Sequence, residues 1–118
     1  MITFANLIRE LDSTGILFTA YAWATPTGDA PAWGAVFVNG SRPIYGDDGH
    51  AEEILSVRIC MCTRALDDTA FTAVNDKLQQ LGRQNDMTWR LGKPRYDNDN
   101  HLITYEWYCE GVLLTGFE

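Results

Sequence analysis

Phe4, Leu7, Ile8 and Leu11 recur at i, i+3, i+4 and i+7, which sets four large apolar groups on one side of a helix and turns Asn6, Arg9 and Glu10 outward. Thr3 stands where a cap belongs, and Gly15, behind Ser13 and Thr14, supplies a stop. A first helix is therefore predicted from Phe4 to Asp12. Ile16 to Trp23 is rich in aromatic and branched residues and reads as a strand, and the Gly and Pro content of the segment from Thr25 to Pro31 reads as a loop.

Trp33 to Asn39 resumes as a strand. Its two faces, Trp33, Ala35 and Phe37 against Gly34, Val36 and Val38, are both apolar or small, the pattern of a central strand covered on both sides. Gly40 to Gly49 is dense in turn formers and reads as a loop, yet it carries Ile44 and Tyr45, two side chains that a solvated loop has little reason to show. Leu55, Val57, Ile59 and Met61 then alternate with Ser56, Arg58, Cys60 and Cys62, so a half-buried strand runs from about Glu53 to Thr63.

Asp67 and Asp68 suit a helix N-terminus, and Phe71, Val74, Leu78 and Leu81 follow at helical spacing until Gly82 offers a stop. A second helix is predicted from Asp67 to Leu81. Met87 to Leu91 and Leu102 to Cys109 read as an antiparallel strand pair, with a turn from Tyr96 to Asn100 in which Asp97 and Asp99 are structural. The order implies an α+β domain, two helices packed on one face of a mostly antiparallel sheet of about five strands. At 118 residues with 46% hydrophobic content, a single domain spanning 1–118 is expected, with no internal repeat.

Charge narrows the function. Nine Lys and Arg against sixteen Asp and Glu leave −7, the wrong sign for gripping DNA or RNA. The charge is uneven: residues 58–95 carry seven of the nine cations, and the segments on either side are acidic. Such alternation suits contact between copies. No apolar run approaches the roughly 18 residues of a membrane span, and the first residues lack the features of a secretory signal, so synthesis in a cytoplasm and no membrane partner are expected.

Chemistry is sparse. Cys60, Cys62 and Cys109 lack zinc-site spacing and read as buried thiols. A Cys60 and His50 pair is conceivable, but Cys60 is mid-strand, whereas an activated thiolate usually sits at a helix N-terminus or next to positive charge. Asp47, Asp48, His50, Glu52 and Glu53 match neither a calcium loop nor a zinc helix and read as a solvated acidic turn. No glycine arrangement suits phosphate, and the aromatics read as core, so neither catalytic residues nor cofactors nor metals are expected.

The order of features resembles the tail terminator, or tail completion, proteins of long-tailed bacteriophages and prophages, the lambda-type terminator among them. The resemblance runs along Thr14-Gly-Ile-Leu-Phe-Thr-Ala-Tyr-Ala-Trp23, Pro31-Ala-Trp-Gly-Ala-Val-Phe-Val38, Tyr45-Gly-Asp-Asp-Gly-His-Ala-Glu52, Val57-Arg-Ile-Cys-Met-Cys-Thr63, Leu66-Asp-Asp68 and Ile103-Thr-Tyr-Glu-Trp-Tyr108. Trp33 with Gly34, and Met61-Cys-Thr63, depart from the family pattern at two strands. The resemblance implies a ring, typically a hexamer, on the head-proximal end of the tail tube. Such a ring stops tube growth and prepares head joining, in the virion tail or neck after assembly in the host bacterial cytoplasm. Its partners would be further copies of itself, the major tail tube protein, the head-tail connector or stopper protein, and DNA that passes without specific binding. A neck adaptor or stopper is the near alternative, and a small ligand-binding module or enzyme the distant one.

A ring needs unlike patches that meet on successive subunits. Arg42, Ile44 and Tyr45 in the polar loop are the first candidates for that interface. Leu113, Leu114 and Phe117, expected to follow the last strand and need cover, are the second. Asp47, Asp48, Glu52 and Glu53 are candidates to line the lumen, where repulsion keeps duplex DNA from adhering.

Overall fold

The computed structural model describes residues 1–23, 30–45, 51–64 and 69–114. Helix α1 (Phe4–Asp12) falls where the apolar spacing puts it, capped by Thr3, whose hydroxyl accepts from the Asn6 amide at 3.2 Å. Phe4, Leu7 and Leu11 are its buried side chains. Helix α2 (Thr69–Asn85) buries Val74, Leu78 and Leu81. It passes through Gly82 instead of stopping there, and Asp86 takes the left-handed conformation beyond its end, with φ 55°. Packing outweighs the modest helical cost of one glycine: Gly82 lets the turn lie close to Met87 and Trp89, where an added Cβ would meet the Met87 carbonyl oxygen at 2.9 Å.

Seven strands form one sheet: β1 (Ile2–Thr3), β2 (Leu17–Ala20), β3 (Ala32–Tyr45), β4 (Ala51–Thr63), β5 (Thr88–Leu91), β6 (Arg95–Asp97) and β7 (Leu102–Leu114). The expected α+β class holds, with more strands than about five. The excess is short: β6, β5 and β1 line up along one edge of β7, opposite Leu102 to Thr104, Trp107 to Glu110 and Val112 to Leu113 respectively. Across the other edge the order runs β7, β4, β3, β2. The central pairs are antiparallel, while the outer strands β1 and β2 run parallel to β7 and β3. The expected pairing of the last long strand with the one after α2 is present as β5 with β7.

Three expected boundaries move. The predicted loop from Gly40 is strand as far as Tyr45, because backbone pairing with Ala51 to Ser56 continues past a bulge at Asn39. The last strand does not end at Cys109 but runs to Leu114 through Gly111, whose φ of 90° only glycine adopts readily. The strand after α1 shortens to Leu17–Ala20, since Tyr21 turns left-handed at φ 63°.

Both helices bury their apolar sides in a single core with Leu55, Val57, Ile59 and Met61 of β4, Val36 of β3, and Trp107, Cys109 and Val112 of β7. They therefore share one face of the sheet. Trp107 is fully buried, and its indole N–H donates to Asn75 Oδ1 at 3.3 Å. Gly34 admits Phe18 of β2, its register partner, onto this face. The molecule measures 53 × 25 × 22 Å. The long dimension follows β3 and β4, at 14 and 13 residues.

Candidate functional site

The sheet's second face carries no helix among the described residues. Strand alternation assigns to it Trp33, Ala35 and Phe37 of β3, Arg58, Cys60 and Cys62 of β4, and Thr104, Glu106 and Tyr108 of β7. The expectation that β3 is covered on both sides holds for Ala35, which is fully buried. Much of the cover beside it comes from arginines. Arg58 lies over the Phe37 ring at 5.0 Å, Arg64 over Trp33 at 4.8 Å, and Arg90 over Tyr108 at 4.4 Å. Each places a guanidinium over an aromatic ring, a contact worth about 0.5–1 kcal/mol at exposed sites.

Arg95 of β6 pairs with Glu106, whose other oxygen accepts from the Tyr108 hydroxyl at 2.8 Å. That acceptor and its charge push the Tyr108 phenol upward from its ordinary value. Among the described residues, Arg58, Arg64 and Arg90 have no salt-bridge partner, and Arg58 Nε is buried without a hydrogen bond. An open depression of about 490 Å³ lies on this face between Asn39, Ser56, Thr88, Arg90, Tyr108 and Glu110.

That depression marks a structural division. On one side of β4 the ladder skips Asn39, between Val38 opposite Val57 and Gly40 opposite Ser56. On the other it skips Gly111, between Glu110 opposite Ser56 and Val112 opposite Leu55. Both neighbours of β4 thus bulge at the level of Ser56, whose hydroxyl donates to Glu110 Oε2 at 2.6 Å. Paired bulges bend a sheet locally. Beyond them β3 and β4 continue as an arm, flanked by the end of β7.

The arm holds several of the residues singled out by sequence. Arg42 is exposed and opposite Ile54. The backbones of Ile44 and Tyr45 pair with Glu52 and Ala51. Glu52 and Glu53 are both exposed, on opposite faces of β4 as successive strand residues must be. Asp47, Asp48 and His50 lie outside the described residues, as do Phe117 and the Asp67 and Asp68 pair. Leu113 and Leu114 belong to β7 and do not form a loose tail: Leu113 pairs with Ile54 and Thr3, and Leu114 packs against the chain's own core.

All three cysteines are buried and free, as the sequence suggested. Burial pushes the Cys60 thiol up to about 11 and Cys109 to about 12, and raises Cys62 as well. Near neutral pH these thiols stay protonated, the form least suited to attack or metal binding. No three potential metal ligands gather among the described residues, and no helix of the described chain is long and apolar enough to cross a membrane. Asp97 is structural as expected: its Oδ1 accepts from the Asp99 amide at 3.0 Å and the Asn100 amide at 3.3 Å. The Asn100 side-chain amide, which donates to Oδ2 at 2.8 Å, and these backbone bonds lower its carboxyl from the ordinary value. The arginine stacks were missed because each joins residues distant in sequence, two of them across neighbouring strands and the third from Arg64 just past β4 to Trp33 of β3, and alternation within one strand cannot reveal such neighbours.

No family model matches the chain, and no curated protein does. Among solved structures, a chain in one described as the virion of a native gene transfer agent particle shares the fold, with a TM-score of 0.50 at 14% identity. The match covers 91% of this chain and 84% of that one. An elongated α+β domain whose two longest strands run on past paired bulges, beside a face that is arginine-bearing and carries no helix among the described residues, is the class that fold and surface define.

Proposed function

We propose that this chain is a structural virion assembly protein of the tail terminator type. In this reading it forms a ring, a hexamer as in the family it resembles, on the head-proximal end of a tail tube. There it stops tube growth and presents a surface to the head-tail connector. It acts by fit between surfaces, with no bond made or broken. Supporting it above all is the fold held in common, over 91% of the chain, with a chain of a gene transfer agent virion. The buried, protonated thiols and the projecting arm agree with a subunit that works through its surfaces.

The test is removal of the gene from the virus or prophage that encodes the chain, with electron microscopy of the products. Tubes of uncontrolled length without attached heads are expected, reversed by supplying the protein in trans. Tails of normal length lacking heads would move the protein to a neck adaptor or stopper role. Normal particles in normal number would remove the virion assembly reading altogether.

A further inference from the structure

We propose that the arginine-bearing face of the sheet is the seat for the carboxylate-bearing arm of a second copy of this chain, so that copies join head to tail through unlike surfaces. The biological setting of this contact rests on the ring reading above.

The chain carries −7 overall, yet one face gathers Arg58, Arg64 and Arg90 with no salt-bridge partner among the described residues. Stacking on Phe37, Trp33 and Tyr108 fixes these groups in advance, which lowers the side-chain entropy a contact must overcome. Arg58 Nε is already buried without a hydrogen bond, and an anionic neighbour would stabilise the guanidinium that bears it. Glu110, the carboxylate at the rim of the depression, is held by Ser56.

The arm has the complementary charge. Glu52 and Glu53 are exposed and without a salt-bridge partner among the described residues. Among the described residues of the arm they stand against one cation, Arg42.

These surfaces cannot satisfy each other within one molecule. Glu53 and the two arginines Arg58 and Arg64 belong to the same strand or its immediate end, so they stand roughly 17 Å and 37 Å apart along β4. Screening at physiological salt acts over about 8 Å. A second copy brings the charges together, and an arm-to-face contact is heterologous, the kind that closes into a ring when the rotation between copies permits.

Two double variants test the contact. Glu52→Lys with Glu53→Lys reverses the arm, and Arg64→Glu with Arg90→Glu reverses the face while leaving the Arg95 and Glu106 pair alone. Circular dichroism checks that each is folded. Sedimentation at low salt is expected to show association of the native chain, weakened about tenfold or more in either variant alone. An equimolar mixture of the two should regain association, because each reversed surface then finds an opposite charge. If the native chain assembles only on tubes, incorporation into tail particles is read in the same samples. Association of either variant at native strength, or a mixture no better than its components, would overturn the proposal. Recovery in the mixture with normal tails in the gene deletion would keep the contact and remove the terminator reading. The converse pattern would keep the terminator reading and overturn the contact.

Discussion

Gly34→Ala places a methyl group where the structure has no room for one. The new Cβ would sit 2.2 Å from Phe18 Cε1 and 2.7 Å from the Cys60 carbonyl oxygen. Phe18 is almost completely buried, so its ring moves aside only by displacing core neighbours, and the Cys60 oxygen is backbone of β4. Overpacking of this kind costs about 1–3 kcal/mol, and partial expulsion of the ring costs more, since loss of a buried Phe side chain is worth about 3–5 kcal/mol. A loss of about 2–4 kcal/mol is therefore expected, read as a lower urea midpoint at unchanged slope by far-ultraviolet circular dichroism. A double-mutant cycle isolates the cause. In a Phe18→Leu background the alanine should cost at least about 1 kcal/mol less, with part of the penalty remaining because the Cys60 carbonyl is still close. A stability within about 0.5 kcal/mol of the native chain would refute the close-approach argument. Equal costs in the two backgrounds would refute the role of the Phe18 ring.

Asn75→Ala leaves the N–H of the fully buried Trp107 indole without its acceptor. A loss of about 1–3 kcal/mol is expected by thermal melting, and an unchanged midpoint would show that another group takes over. For the cysteines, burial favours the protonated thiol in the folded chain. Their contribution to stability is complete below the ordinary thiol value of 9.0 and is lost as pH rises from there toward about 11 for Cys60 and about 12 for Cys109. At pH 8 an aromatic disulfide reagent should react slowly with the native chain and rapidly with all three thiols in urea, and fast native reaction would contradict the burial.

Local periodicity made α1 legible to the residue, since Phe4, Leu7 and Leu11 both define the helical pattern and enter the core. β4 was legible for the same reason through Leu55, Val57, Ile59 and Met61. The arm was not, because Gly40, Ser41 and Pro43 have turn chemistry and only pairing with β4 and a bulge at Asn39 keep them extended. Leu113 looked like an uncovered tail because its pairing partner Ile54 is distant in sequence, and Gly111 looked like an end instead of a bulge. Among the candidate site residues, Ile44 and Tyr45 were found for a reason the backbone revises: they stand in a paired strand of a projecting arm.

The two bulges connect this local chemistry to the surface proposed for assembly. A continuous sheet would carry the alternation of β4 straight from Arg58 to Glu52, placing basic and acidic groups along one flat ribbon. Bulges at Asn39 and Gly111 on both sides of Ser56 instead bend the ribbon at the boundary between its basic body and its acidic arm. β4 itself runs unbroken past both bulges, so Arg58 and Glu52 stay on one strand while the local bend changes their relative direction. The proposed contact, face to one copy and arm to another, uses this separation. Gly111 is the residue whose backbone conformation makes it cheap on the β7 side.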